Sequence, residues 1–226
     1  MKKIANILEK LEGYFGIPEK RLRKDPLSEL IFSILSQNTT DLNRDRAYAS
    51  LMSRFERWED VMAADVKEIE EAIRVGGLAP QKSVRIKEIL GEIYNERGRL
   101  DLDHLSDMDR DEALDYLTSF KGVGVKTASI VLLFSLGKPA FPVDTHIYRV
   151  TKRLGLVDEK ADVTSAHKIM ERLVPEDKYF PFHILLIRLG REYCKARRPL
   201  CEECPLNSLC PSKDEFFKEK KQPRAN

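Results

Sequence analysis

Two glycines one residue apart constrain this chain more than any other feature. Gly122 and Gly124 stand in Phe120-Lys121-Gly122-Val123-Gly124-Val125-Lys126-Thr127-Ala128-Ser129. A helical pattern over Arg110–Ser119 runs into them, and a strongly apolar one over Val125–Leu136 leaves. The glycines permit backbone angles other residues avoid, so Gly-x-Gly here predicts a tight connection between two helices. Amides at the start of the second helix lack intrahelical partners. With the helix dipole they form a site for a phosphate oxygen. Such a grip through Gly122, Val123 and Gly124 would hold a nucleic-acid backbone whatever its sequence. Taken alone, the pattern also describes a plain helix connection.

Lys126 lies in the first turn of that second helix, facing the positive end of its dipole. Partial burial there would favour the neutral amine, a nucleophile that can form a Schiff base with a sugar carbon. A surface lysine on a phosphate is the plainer reading. Eighteen residues further on, Asp144 sits in Pro142-Val143-Asp144-Thr145-His146. Its position before a helix suits an N-cap. A carboxylate held that way could take a proton from Lys126 or stabilise a cationic sugar. His146 reads either as a polar neighbour of such a site or as a first-turn helix residue.

The rest of the chain is patterned for helices, with no convincing strand alternation. Lys3–Phe15 is followed by a helix opened by Asp25-Pro26, with Leu27, Leu30, Ile31, Ile34 and Leu35 on one side. That helix runs into Ser36-Gln37-Asn38-Thr39-Thr40, and Asp41 is placed to cap the next, to about Phe55. Trp58–Met62, Asp65–Val75 and Pro80–Arg97 come before a loop, Gly98–Ser106. Asp144–Leu154, Val163–Leu173 and Lys178–Tyr193 come after the glycine turn. From Ser212 the tail is charged, with Phe216 and Phe217 its only large apolar residues, and reads as a solvated, partly disordered end. The amides and hydroxyls of the Ser36–Thr40 patch could enter a duplex beside an extruded base, or simply form a helix-end turn.

At 226 residues the chain allows one large domain or two modest ones. Charged residues make up 34%, yet the net charge is only +2, so any nucleic-acid site must come from local clustering. Met1 to Phe15 has helical spacing rather than a signal-peptide pattern, and Ile130 to Leu136 is too short to span a bilayer. A reducing, cytoplasmic setting follows as the expectation, with no membrane partner.

In that setting Cys194, Cys201, Cys204 and Cys210, all the cysteines of the chain, read as a metal site. Their C-x6-C-x2-C-x5-C spacing suits tetrahedral zinc or a [4Fe–4S] cluster, and by chemistry alone zinc is the safer choice. Lys195, Arg197 and Arg198 in the first cysteine loop would be pinned as phosphate contacts.

Together these motifs resemble the endonuclease III family of helix-hairpin-helix DNA glycosylases, over about residues 24–211. The glycine turn with Lys126, the Val143-Asp144-Thr145-His146 motif, the Gln-Asn-Thr patch and the cysteine spacing match in order. The resemblance implies an all-α fold of two helical domains flanking a DNA cleft. One would be a six-helix domain with the hairpin, residues 24–135. The other would join residues 1–23 to 136–211 and hold a [4Fe–4S] cluster, leaving 212–226 as the tail. It further implies Lys126 and Asp144 as catalytic residues. The activity would be that of a monomeric glycosylase and AP lyase on double-stranded DNA with damaged bases or abasic sites. Oxidised pyrimidines are the default substrate, with mismatched or methylated pyrimidines as alternatives. Against these stands a noncatalytic damaged-DNA-binding module, which would not need the Lys126/Asp144 pair. Two departures stand out. Many relatives have proline where Lys121 precedes the first hairpin glycine. The family's gap-filling glutamine matches Gln37 by type but Asn38 by strict register.

Overall fold

Asp25 begins α2 (Pro26–Leu35) as the sequence pattern requires. Its side chain accepts from the Ser28 amide at 2.9 Å, and Pro26 occupies the first turn. The computed structural model describes residues 2–19 and 24–215. Its other helices are α1 (Lys2–Phe15), α3 (Asp41–Arg54), α4 (Trp58–Ala63), α5 (Val66–Ile73) and α6 (Ala79–Arg97). These continue with α7 (Arg110–Ser119), α8 (Val125–Phe134), α9 (Thr145–Arg153), α10 (Val163–Leu173) and α11 (Tyr179–Glu192). Among the described residues there is no strand, and no helix is long and apolar enough to cross a membrane.

Several element ends differ from the sequence pattern. Asp41 does not cap α3. Thr40 does, its hydroxyl accepting from the Asn43 amide at 3.3 Å, and Asp41 becomes the first helical residue and pairs with Arg44 at 2.9 Å. The Gly98–Ser106 segment contains a 3-10 turn, Asp103–Ser106. Helix α8 stops at Phe134, two residues short of Leu136. Lys213–Glu215 is helical, while Phe216 and Phe217 lie outside the described residues.

The chain divides into two compact units, Met1–Arg21 with Pro139–Asn226, and Leu22–Lys138. In the second, α2 and α8 are packed against each other and are apolar nearly all round. Leu30, Ile31, Ile34, Val131 and Leu132 are fully buried, as such helices must be. Helix α6 packs on α5 and α2, and α7 turns back onto α8 through the glycine hairpin.

In the first unit, α11 packs on α9 and α1. Gly190 permits the close approach of α9, because a Cβ there would lie 2.9 Å from that of His146. Phe141 is buried against Tyr179, Phe182 and His183, with ring centroids 5.5, 6.2 and 6.1 Å away. Burial of that ring contributes about 2 kcal/mol. The Nδ1 atoms of buried His167 and His183 lie 3.0 and 2.9 Å from the carbonyls of Phe141 and Pro142. Carbonyls only accept, so both imidazoles carry their proton on Nδ1. These bonds brace the segment that leads into Asp144.

Candidate nucleic-acid interface and metal centre

Phe120 to Val123 is a β-turn closed by a Val123 N–H to Phe120 carbonyl bond of 3.0 Å. Gly122 takes φ +80°, the value required at the third position of a type II turn. Val123 is buried and anchors the turn, while Lys121, Gly122 and Gly124 are exposed. Gly124 is the N-cap of α8 with extended backbone and no side chain to satisfy the amides that follow. The turn therefore presents uncapped N–H groups at the positive end of a buried helix, suited to a phosphate. Lys121 adds a nearby cation, 81% exposed and 3.9 Å from Glu88, a pairing too weak to hold it.

Lys126 is partly buried in the first turn of α8. Asp144, in the other unit, caps α9, with Oδ1 accepting from the Ile147 amide at 2.7 Å. His146 is half-buried against Gly190, and its Nδ1 lies 3.1 Å from Arg149 Nη2. Arg149 also donates to the carbonyls of Gly190 at 2.9 Å and Cys194 at 2.8 Å, so this cluster ties α9 to α11 and the cysteine loop.

The Ser36–Thr40 patch separates into two roles. Gln37 is half-buried, its Oε1 accepting from Arg85 Nη1 at 2.7 Å and its Nε2 directed at the Gly122 carbonyl, 3.4 Å away. Asn38 is exposed and left-handed, with φ +52°. A depression of about 540 Å³ lies beside it, lined by Asn38, Thr39, Thr40, Asn43, Val75 and Gly77. Leu78, which follows, is also left-handed at φ +51° and 46% exposed. A left-handed, solvent-facing leucine is an expensive arrangement to keep without a use.

Leu78, Lys82 and Arg85 are absent from the sequence reading. Lys82 had a local signal, since it falls in one stripe with Ile86, Ile89 and Ile93. Leu78 also had one, as an apolar residue between two glycines and a helix start. Arg85 had none.

The four cysteines line a single cavity of about 30 Å³ with Arg153, Tyr193, Pro199, Asn207 and Lys213. Among the described residues no three His, Cys, Asp or Glu side chains converge closely enough for one ion. Four thiols around one cavity are a donor set that suits a [4Fe–4S] cluster. Burial pushes the Cys204 thiol up to about 11 and raises Cys210 as well, so ligation depends on iron to displace their protons. Arg153 holds the first loop, donating to the Lys195 carbonyl at 2.8 Å and the Ala196 carbonyl at 3.2 Å. The side chains of Lys195, Arg197 and Arg198 are left exposed.

Residues 31–176 match the family described as HhH-GPD superfamily base excision DNA repair protein. Residues 194–210 match the iron-sulfur binding domain of endonuclease III. A relative from Arabidopsis thaliana named for DNA glycosylase activity is 43% identical over 82% of this chain, which spans 60% of that protein's length. Endonuclease III of Bacillus subtilis is 35% identical over 93% of this chain and 92% of its own. A solved endonuclease III–DNA complex, non-covalent, superposes with a TM-score of 0.82 at 29% identity, covering 96% of this chain and 98% of that one.

Proposed function

This chain belongs to the HhH-GPD superfamily of base excision DNA repair proteins, on its endonuclease III branch, and from that premise we propose that it removes oxidised pyrimidines. It is a DNA glycosylase with AP lyase activity, binds DNA and carries an iron–sulfur cluster. It works as a monomer on intracellular duplexes with damaged bases or abasic sites. The observation that carries the reading is the position of Lys126. It stands one residue inside α8, behind an N-terminus that no side chain caps. A phosphate bound at Gly122, Val123 and Gly124 brings a nucleotide sugar within reach of that amine.

The damaged nucleotide leaves the stack before reaction. Asn38 fills the space beside the orphaned base, because Gln37 is already tied to Arg85 and Gly122. Leu78 stays wedged against the stack as an apolar side chain can. The Lys126 amine attacks C1′, the glycosidic bond breaks, and the base departs with the bonding electrons and takes up a proton. The attacking nitrogen sheds a proton, and Asp144 is assigned the role of the base. The C1′–O4′ bond breaks, O4′ takes up a proton, and the opened sugar is left as a Schiff base between C1′ and Nζ. This acidifies C2′, whose proton is removed as the 3′ phosphate leaves in a β-elimination. Water then hydrolyses the imine and frees Lys126. The four cysteines hold the [4Fe–4S] cluster, which pins Lys195, Arg197 and Arg198 where they meet phosphates. His146 holds α9 in place beside the same DNA backbone.

Borohydride trapping on a thymine-glycol duplex tests this scheme. Wild-type protein is expected to form a covalent adduct and Lys126→Ala none. Equal trapping by the two would remove Lys126 from the reaction.

A further inference from the structure

We propose that Arg85 and Gln37 form a strut that positions the turn entering the duplex against the hairpin gripping its backbone. This deepens the function proposed above and rests on it. The two turns are far apart in sequence, and α6 supplies what joins them. Arg85 Nη1 donates to Gln37 Oε1 at 2.7 Å, and Gln37 Nε2 faces the Gly122 carbonyl at 3.4 Å. The amide orientation follows from chemistry: a guanidinium only donates and a carbonyl only accepts.

The Arg85 guanidinium lies directly over Gly122. A Cβ at Gly122 would be 2.2 Å from Arg85 Nε and 2.3 Å from Cζ. Gly122 is therefore needed twice, for its positive φ and for the space Arg85 occupies. One α-helical turn earlier on α6, Lys82 is 2% exposed and donates to the carbonyls of Leu35 and Gly76 at 2.8 and 2.9 Å. Lys82 fixes the base of the Ser36–Thr40 turn, and Arg85 fixes its reach.

Gln37 immediately precedes left-handed Asn38, so a swing of Gln37 would move Asn38 with it. The strut thus sets the distance between a gripped phosphate and the residue that fills the vacated space. Gln37 and Arg85 are positioning residues; neither needs to touch a reacting atom.

The test compares base excision from a thymine-glycol duplex, in single turnover, with strand cleavage of a single-stranded abasic oligonucleotide. Only the first requires a filled gap. Arg85→Met and Gln37→Met are each expected to slow duplex excision by about tenfold to a hundredfold. Both should leave single-strand cleavage within about twofold. Gln37→Glu keeps the acceptor for Arg85 but loses the donor to the Gly122 carbonyl, so its duplex excision should fall between wild type and Gln37→Met, and the double Met variant should be no worse than either single one. Equal loss on both substrates would mean general damage to the fold and overturn the proposal. Gln37→Glu as poor as Gln37→Met would show that the bond from Arg85 sets nothing, and would also overturn it. Excision by wild type in the same assay checks the functional reading separately. If wild type excises nothing, that reading fails; if only the variant pattern is wrong, the strut fails.

Discussion

The buried Lys82 ammonium donates to the Leu35 carbonyl at 2.8 Å, at the end of α2. Its partners are backbone oxygens, Leu35 here and Gly76 at 2.9 Å. Replacing Lys82 by Met strands both carbonyls and is expected to destabilise the protein by about 2 kcal/mol, read by urea unfolding at neutral pH. Burial lowers the pKa of Lys82 below its ordinary value. Between the lowered folded value and about 10.4, the unfolded chain holds more protons. Stability of wild type relative to Lys82→Met should therefore rise with pH in that window and stay flat below it. A gap that narrows on going alkaline would contradict the assignment.

Lys121 occupies the second position of the turn whose third is Gly122, where proline is favoured. Phe120 before it has φ −67° and ψ 131°, conformations that a following proline accepts. Lys121→Pro should stabilise the fold by about 0.5 kcal/mol. It should also reduce the slope of log affinity for DNA against log salt by about one, as one phosphate contact is lost. An unchanged slope would leave Lys121 no role at the DNA.

Asp144→Asn separates capping from chemistry. Asparagine accepts from the Ile147 amide as well as aspartate does, so stability should change by less than about 0.5 kcal/mol. The substituted amide cannot act as a base, and base excision should fall by about a hundredfold or more while DNA binding persists. Unimpaired turnover would reduce Asp144 to a cap.

The cysteine loop links colour to affinity. Purified wild type should be brown and contain iron. A Cys201→Ser/Cys204→Ser variant should lose iron and visible absorption, and bind DNA about tenfold more weakly at low salt as Lys195, Arg197 and Arg198 lose their anchor. Undiminished binding would detach the basic loop from the DNA.

Much of the helix pattern was legible because it depends on near neighbours. Asp25-Pro26, the period of Leu27 to Leu35 and the two glycines at 122 and 124 each act within a few residues. Cysteine spacing likewise bounded the cofactor to zinc or iron–sulfur, and the match of residues 194–210 to the iron-sulfur binding domain of endonuclease III decides for the cluster. Local signals also misled: Thr40 and Asp41 are both good caps, and only the path of the chain into α3 chose Thr40.

By itself, then, the sequence determined an all-helical chain, a glycine hairpin leading into an apolar helix, and four thiols in one loop. These are short-range matters of backbone freedom, periodicity and spacing. Tertiary structure alone decided that Gln37 is bound and Asn38 is not, that Lys82 is buried on carbonyls, and that Arg85 lies over Gly122. Those contacts join residues 48, 85 and 47 positions apart, Arg85 to Gln37, Gln37 to Gly122 and Lys82 to Leu35. No local pattern encodes such pairings, because they exist only once α2, α6 and the hairpin have packed around one core.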